Sequence, residues 1–250
     1  MHQVKFPFKI TGYGSYLPDK IQTSKELSKL IGKSEDWIIN RTGVVERRIS
    51  NIDVDKMGAL AAKDAIGDKD IPSLIINASG VPKQTLPDTS VFIQKELGFD
   101  GIPSFSIHST CLSFLTALNV ASSLLQTDLY NSILIVSSDR GTRGRNFNEP
   151  ESSALLGDAA AAIYLEKSNE SSGLISYSMN TFPDGANLTE VRGGGTKLHP
   201  QDTKTQDSDN LFSMNGPRVY KMARQKVYDL IQQDLSIDKL DINDIDLVIP

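Results

Sequence analysis

A chain of 250 residues is long enough for one large domain or two small ones, and 39% hydrophobic with 23% charged residues is the content of a packed globule. A net charge of −5 gives no footing for nucleic acid or an anionic membrane surface as partner, and no stretch approaches the length of a membrane span. The single cysteine excludes an internal disulfide and fits a reducing compartment; with the three histidines, His2, His108 and His199, it forms no metal-ligand spacing.

Residues 1–9 lack an apolar core of signal-peptide length. Residues 8–12 read as a strand turning at Gly12-Tyr13-Gly14, a lone glycine turn too weak to argue a dinucleotide site. Thr23 or Ser24 can cap a helix reaching about Leu30, with Glu26 in its first turn. Ser34 caps a second short helix that carries Glu35 and Asp36 in its first turn. Arg41-Thr42-Gly43 then turns into a basic loop with Arg47-Arg48. Residues 57–66 read as a helix with small residues along one side, 73–77 as a short apolar strand, and 89–97 as a helix stopped at Gly98.

Residues 105–107 read as a strand, with Phe105 and Ile107 on one face and Ser106 and His108 on the other. Ser109-Thr110 turns into an apolar, small-residue helix beginning at Cys111, polar only at Asn119 and a few hydroxyls, and that pattern predicts burial. A cysteine at a helix start meets free N–H groups and the positive end of the helix dipole. Both favour a thiolate, and the N–H groups could hold the oxyanion of an acyl intermediate. Such a place suits nucleophilic catalysis. Taken by itself, a lone cysteine is equally one more small core residue.

Residues 132–137, SILIVS, read as a strand buried on both faces, and the alternation of strands and helices predicts an α/β fold with a parallel or mixed sheet. Residues 140–153 read as a surface loop. In 155–165 a Gly157-Asp158 turn and four consecutive alanines imply close backbone packing before a strand. A polar break at 167–172 precedes a second unit starting at Gly173. Residues 190–210 form a long polar loop whose Gly193-Gly194-Gly195 reads as flexible, or as an approach to a ligand. Residues 214–235 read as a long helix with apolar Val219, Met222, Val227 and Leu230 and a basic surface of Arg218, Lys221, Arg224 and Lys226. Residues 246–249 begin a last strand.

Five segments in order, ITGYGSYLPDK, SEDWIINRTGVVERR, STCLSFLTAL, LLGDAAAAIYLE and FSMNGPRVYKMA, resemble β-ketoacyl-acyl-carrier-protein synthase III, a condensing-enzyme branch of the thiolase superfamily, along the whole chain. The resemblance implies a layered αβαβα fold of two similar halves, here 1–170 and 171–250, the second incomplete. It also implies a cytoplasmic homodimer in fatty-acid or related metabolism. Cys111 would take an acyl group from acyl-CoA, its own N–H in the oxyanion hole, and malonyl-acyl carrier protein would then lose CO₂ and attack. Coenzyme A thioester enters as substrate, and no cofactor or metal is implied. Trp37 and Arg41 would meet the nucleotide end of coenzyme A by stacking and phosphate contact; without the resemblance Trp37 is a half-buried anchor. Leu86, before Pro87, falls at the acyl pocket of the neighbouring subunit. Asn215 falls near the pantetheine channel and is equally a helix cap. The basic helix around Lys221 resembles a carrier-protein docking surface and is equally a solvated charged face.

Two departures qualify the resemblance. The family's histidine after a Val-Pro-like pair, and a later asparagine, have no counterpart: the chain reads Asp246-Leu247-Val248-Ile249-Pro250 and stops. The expectation is a fragment that by itself lacks the condensation step. His108 could stand in as base but fits a structural polar residue better. The usual Gly-Phe after the nucleophile is here Leu112-Ser113-Phe114, and residues 146–151 lack the arginine that often completes the adenine clamp. That loop looks more like branches with other acyl acceptors. An ester- or amide-forming acyltransferase and a non-catalytic partner subunit are the alternatives.

Overall fold

The computed structural model describes residues 4–169 and 171–249; His2 and Pro250 lie outside them. Its centre is one six-stranded mixed sheet built from β1 (Phe6–Tyr16), β4 (Leu74–Asn77), β5 (Ser104–Ser106), β6 (Ser132–Arg140), β7 (Asp158–Lys167) and β8 (Gly173–Leu174), in the order β5-β4-β6-β7-β1-β8. β4 runs parallel to both β5 and β6, while β7 and β1 add on antiparallel. A two-stranded ribbon, β2 (Ile21–Thr23) with β3 (Glu46–Arg48), brackets α1 (Ser24–Ile31) and α2 (Glu35–Thr42). The Thr23 hydroxyl accepts from the Glu26 N–H at 3.1 Å, and the Glu26 carboxylate accepts from the Thr23 N–H at 2.8 Å, so α1 starts on a reciprocal capping box.

α3 (Val54–Ile66) and α4 (Thr89–Leu97) cover one face of the sheet, and α5 (Ser113–Leu125) covers the other. Met57, Ala61 and Ala65 of α3 pack with Ile93, Leu134, Val136, Ala160 and Ala162. Ala117, Ala121 and Leu125 of α5 pack with Phe8, Leu74, Ile76, Ile133, Ile135 and Leu165. β4 and β6 are buried on both faces, which is why they read as continuous apolar runs. These are three of the five layers expected. The four alanines alternate: Ala160 and Ala162 are buried under α3, while Ala159 and Ala161 are exposed, as the two-residue period of a strand requires. The close packing therefore lies on one face only. There β1 contributes Gly12 and Gly14, where a Cβ would run into the carbonyl oxygens of Ala65 and Ala61.

Several local expectations are corrected. α5 begins at Ser113, not Cys111, and it is buried on one side only: Leu115 is exposed. The segment 140–153 is not a plain surface loop. It holds a 3₁₀ turn (Gly141–Gly144) and α6 (Pro150–Ser153), and Arg145, Ser152 and Ser153 are buried because polar partners await them, Gln22 for Arg145 at 2.7 Å among them. Gly173–Leu174, read from sequence as the start of a second unit, pairs with β1 as the far edge of the sheet. Residues 246–249 form no strand, and Leu247, Val248 and Ile249 are exposed with no neighbouring strand among the described residues to pair with.

Beyond the sheet come a short ribbon, β9 (Thr189–Glu190) with β10 (Ser213–Met214), and α7 (Gly216–Asp238). α7 has no fully buried residue. Among the described residues no helix is long and apolar enough to cross a membrane.

Candidate active site

The carboxyl ends of the parallel strands β4, β5 and β6 meet at one edge of the sheet, the place where open α/β sheets put their chemistry. β4 leads into Asn77 to Val81, β5 into His108 to Cys111, and β6 ends on Asp139 and Arg140. Asn77 donates to the Ser106 hydroxyl at 2.9 Å, and Ser79 ties both neighbours by donating to Asn77 at 2.7 Å and accepting from the Ser138 N–H at 3.0 Å.

Cys111 sits in the turn between β5 and α5, two residues ahead of the first helical residue, with an exposed thiol. The correction has a backbone cause. Thr110 takes a left-handed conformation, φ 51°, and Leu112 stands at the helix cap without a side-chain cap bond. Leu112 N–H bonds to Ser109 O at 3.0 Å and Ser113 N–H to Thr110 O at 3.1 Å. The chain makes a tight turn through Cys111 before the helix begins, so Cys111 lies ahead of the free N–H groups of α5 rather than among them. Among the described hydrogen bonds of this turn, none uses the Cys111 N–H.

Sequence reasoning missed Asp139. Its carboxylate accepts from the Gly80 N–H at 2.9 Å and the Val81 N–H at 3.1 Å. Burial pushes its carboxyl above the usual carboxylate range, while those N–H groups and His108 pull it back. His108 therefore lies within electrostatic reach of Asp139 and three residues before Cys111, on an exposed stretch outside β5. An acid directly after the apolar run SILIVSS is the signal that could have found it.

The other expected site residues stand apart. Trp37 is half-buried on α2 against Leu27, Ile31, Ile38 and Ala154, with the Lys33 ammonium 5.4 Å from its ring centroid, which makes it an anchor of that small core. Arg41, one turn on, is exposed. Leu86 is exposed on the 80–88 loop. Asn215 caps α7, its side-chain oxygen accepting from the Arg218 N–H at 3.3 Å. A cleft of about 600 Å³ opens next to the Cys111 turn. Leu112 at the cap of α5 and Leu115 within it line the cleft, with Tyr177, Met179, Phe182 and Leu188 from the connecting segment and Val219, Met222 and Val227 from α7. Trp37, Arg41, Leu86 and Asn215 do not line it. Among the described residues no group of three or more His, Cys, Asp and Glu is placed to hold a metal ion.

Residues 105–183, which contain this turn, match the family described as 3-oxoacyl-(acyl-carrier-protein) synthase III. A β-ketoacyl-(acyl-carrier-protein) synthase III of Rickettsia rickettsii (strain Sheila Smith) is 32% identical over 251 residues, covering 97% of this chain and 76% of that protein. The enzyme of the same description from Aliivibrio fischeri is 32% identical over 248 residues, with the same coverage of both chains, 97% and 76%. The crystal structure of 3-oxoacyl-(acyl-carrier-protein) synthase III from Aquifex aeolicus VF5 superposes with a TM-score of 0.86 at 25% identity, covering 98% of this chain and 76% of that one.

Proposed function

The chain belongs to the β-ketoacyl-acyl-carrier-protein synthase III family of thiolase-fold condensing acyltransferases, and from that premise we propose that Cys111 is its acyl acceptor. The observation that supports this most directly is an exposed thiol on a hydrogen-bonded turn at the carboxyl edge of parallel strands. The Cys111 thiolate attacks the carbonyl carbon of an acyl-CoA. The oxyanion faces the Cys111 N–H, which the turn leaves uncommitted. The tetrahedral intermediate then expels the coenzyme A thiolate, which takes up the proton that Cys111 gave up. The acyl group stays on sulfur as a thioester. In the family the second substrate, malonyl-acyl carrier protein, then loses CO₂, and its carbanion attacks the thioester carbonyl and expels the cysteine thiolate; that step uses a histidine and an asparagine for which these 250 residues offer no counterpart.

Trp37, half-buried in the first turn of α2, and Arg41, exposed in its last turn, would serve as contacts for the nucleotide end of coenzyme A. Arg218, Lys221, Arg224 and Lys226 on α7 are exposed and would receive an acidic carrier protein. Leu86 would line the acyl pocket of a second subunit in a homodimer, and Asn215 the pantetheine channel. Coenzyme A is substrate here, with no bound cofactor. A free catalytic thiol suits a reducing, cytoplasmic setting.

Intact-mass measurement with a series of acyl-CoA substrates tests the first step. A mass gain equal to the acyl group, abolished in Cys111→Ala, is expected. No adduct with any chain length sinks the reading. Labelled CO₂ released from malonyl-acyl carrier protein supports condensation; transfer to an alcohol or amine without CO₂ supports the ester- or amide-forming alternative.

A further inference from the structure

The nucleophile turn holds a non-glycine residue, Thr110, in the left-handed region, where an L side chain crowds its own backbone. Such a conformation persists only when its surroundings over-determine it. Ser113 provides the surroundings. Its side chain is 1% exposed, accepts from the Ser109 N–H at 2.9 Å and donates to the Thr110 carbonyl at 2.7 Å. The two bonds end on the two residues directly before the cysteine. They are not used to cap α5, whose cap residue is the apolar Leu112. The Thr110 carbonyl also receives the Ser113 N–H, so it is held twice.

That carbonyl and the Cys111 N–H belong to one planar trans peptide unit and point in opposite directions. Fixing the carbonyl oxygen toward α5 therefore fixes the Cys111 N–H away from it. We infer that the Ser113 hydroxyl is a positioning residue: it clamps the Thr110–Cys111 peptide and so aims the N–H that receives the acyl oxygen. The inference rests on the reading of Cys111 as the acyl acceptor. It deepens that reading, because Ser113 occupies the place where the resemblance leads one to expect glycine, which has no side chain to bond the turn.

The test compares the purified protein with Ser113→Ala and Ser113→Thr by three measurements. Amide exchange at Ser109 reads the clamp itself, and in Ser113→Ala it is expected to quicken about tenfold as one hydrogen bond is lost. Acylation of Cys111 by acetyl-, butyryl- and octanoyl-CoA is expected to slow about tenfold or more, as misplacement of a catalytic donor does. Alkylation of the exposed sulfur by iodoacetamide needs no oxyanion donor and should stay near the parent rate. Ser113→Thr, which keeps the hydroxyl, should restore both exchange and acylation.

Unchanged exchange at Ser109 in Ser113→Ala overturns the inference, as does quickened exchange with parental acylation. Equal loss of acylation and alkylation together with a lowered melting temperature makes the hydroxyl a folding contact and also overturns it. If the parent protein takes no acyl group from any of the three thioesters, the functional reading fails, and with it the catalytic half of this inference, while exchange at Ser109 still decides whether the clamp exists.

Discussion

Asp139, one residue before the end of β6, bonds through its carboxylate to the backbone of the 80–81 turn, far from it in sequence. A carboxyl whose folded-state value lies above its unfolded one stabilises the fold while protonated and loses that contribution as pH rises through the folded value. Burial raises Asp139 in this way. Asp139→Asn keeps an oxygen to accept from Gly80 and Val81 and removes the charge. Its melting temperature relative to the parent is therefore expected to climb as pH goes from acid to neutral and then to level off. A difference that is constant across pH would mean that the Asp139 carboxyl does not titrate in the folded state above its unfolded range. At the same scale, Arg47 and Arg145 are both buried, and burial lowers the affinity of each guanidinium for its proton. Each is held by neutral oxygens: Ser24 and Ala154 O for Arg47, Gln22 for Arg145. Gln22→Ala leaves a buried guanidinium without its acceptor and should cost about 1–3 kcal/mol in denaturant unfolding.

The elements depend on small residues and on caps. β1 and α3 approach so closely that Gly14 has no room for a methyl group: a Cβ there would meet the Ala61 carbonyl and the Ala65 N–H at 2.5 Å from its nitrogen. Gly14→Ala must push α3 off the sheet or bend β1, at a cost of about 1–3 kcal/mol or more, read as a lower denaturation midpoint. Parental stability in that variant would mean the two elements have slack. α1 is tied down by its capping box, and Thr23→Ala should cost about 1 kcal/mol. α5 differs, because its first turn has no side-chain cap and its leading serine bonds backwards into the turn.

At the scale of the whole molecule, polar ties join residues after β8 to the 141–153 segment between β6 and β7. Glu149 accepts from the Ser213 hydroxyl at 2.7 Å and from the Met214 N–H at 3.1 Å, and Phe212 N–H reaches the Gly144 carbonyl at 2.8 Å. α7 adds an apolar stripe, Val219, Met222 and Val227, that faces the cleft beside Leu112 and Leu115 without being fully buried. Removing the Glu149 acceptors should loosen this attachment. Glu149→Ala is expected to speed trypsin cleavage at Arg192, Lys197 and Lys204 in the 190–210 segment while the sheet core stays intact. Unchanged cleavage would show that β10 is held by other contacts.

The chain's own periodicities settled the α/β class, the strands β4 and β6 and the helices α1 to α4, because those features follow from local alternation, caps and glycine stops acting over a few residues; Cys111, expected on the first residue of a helix, lies two residues before α5. The ordered motifs also identified the family. What local pattern could not decide was anything set by contacts distant in sequence. The buried pairing of Arg145 with Gln22 and the turn of Asp139 toward Gly80 depend on partners brought together only by the folded sheet, whereas the left-handed Thr110 that moves the start of α5 past Cys111 is held by Ser113, a contact near in sequence that no periodicity signals. Gly173–Leu174 reads as a new beginning in the linear chain and becomes an edge of the old sheet because β1, more than a hundred residues earlier, has a free side to pair with.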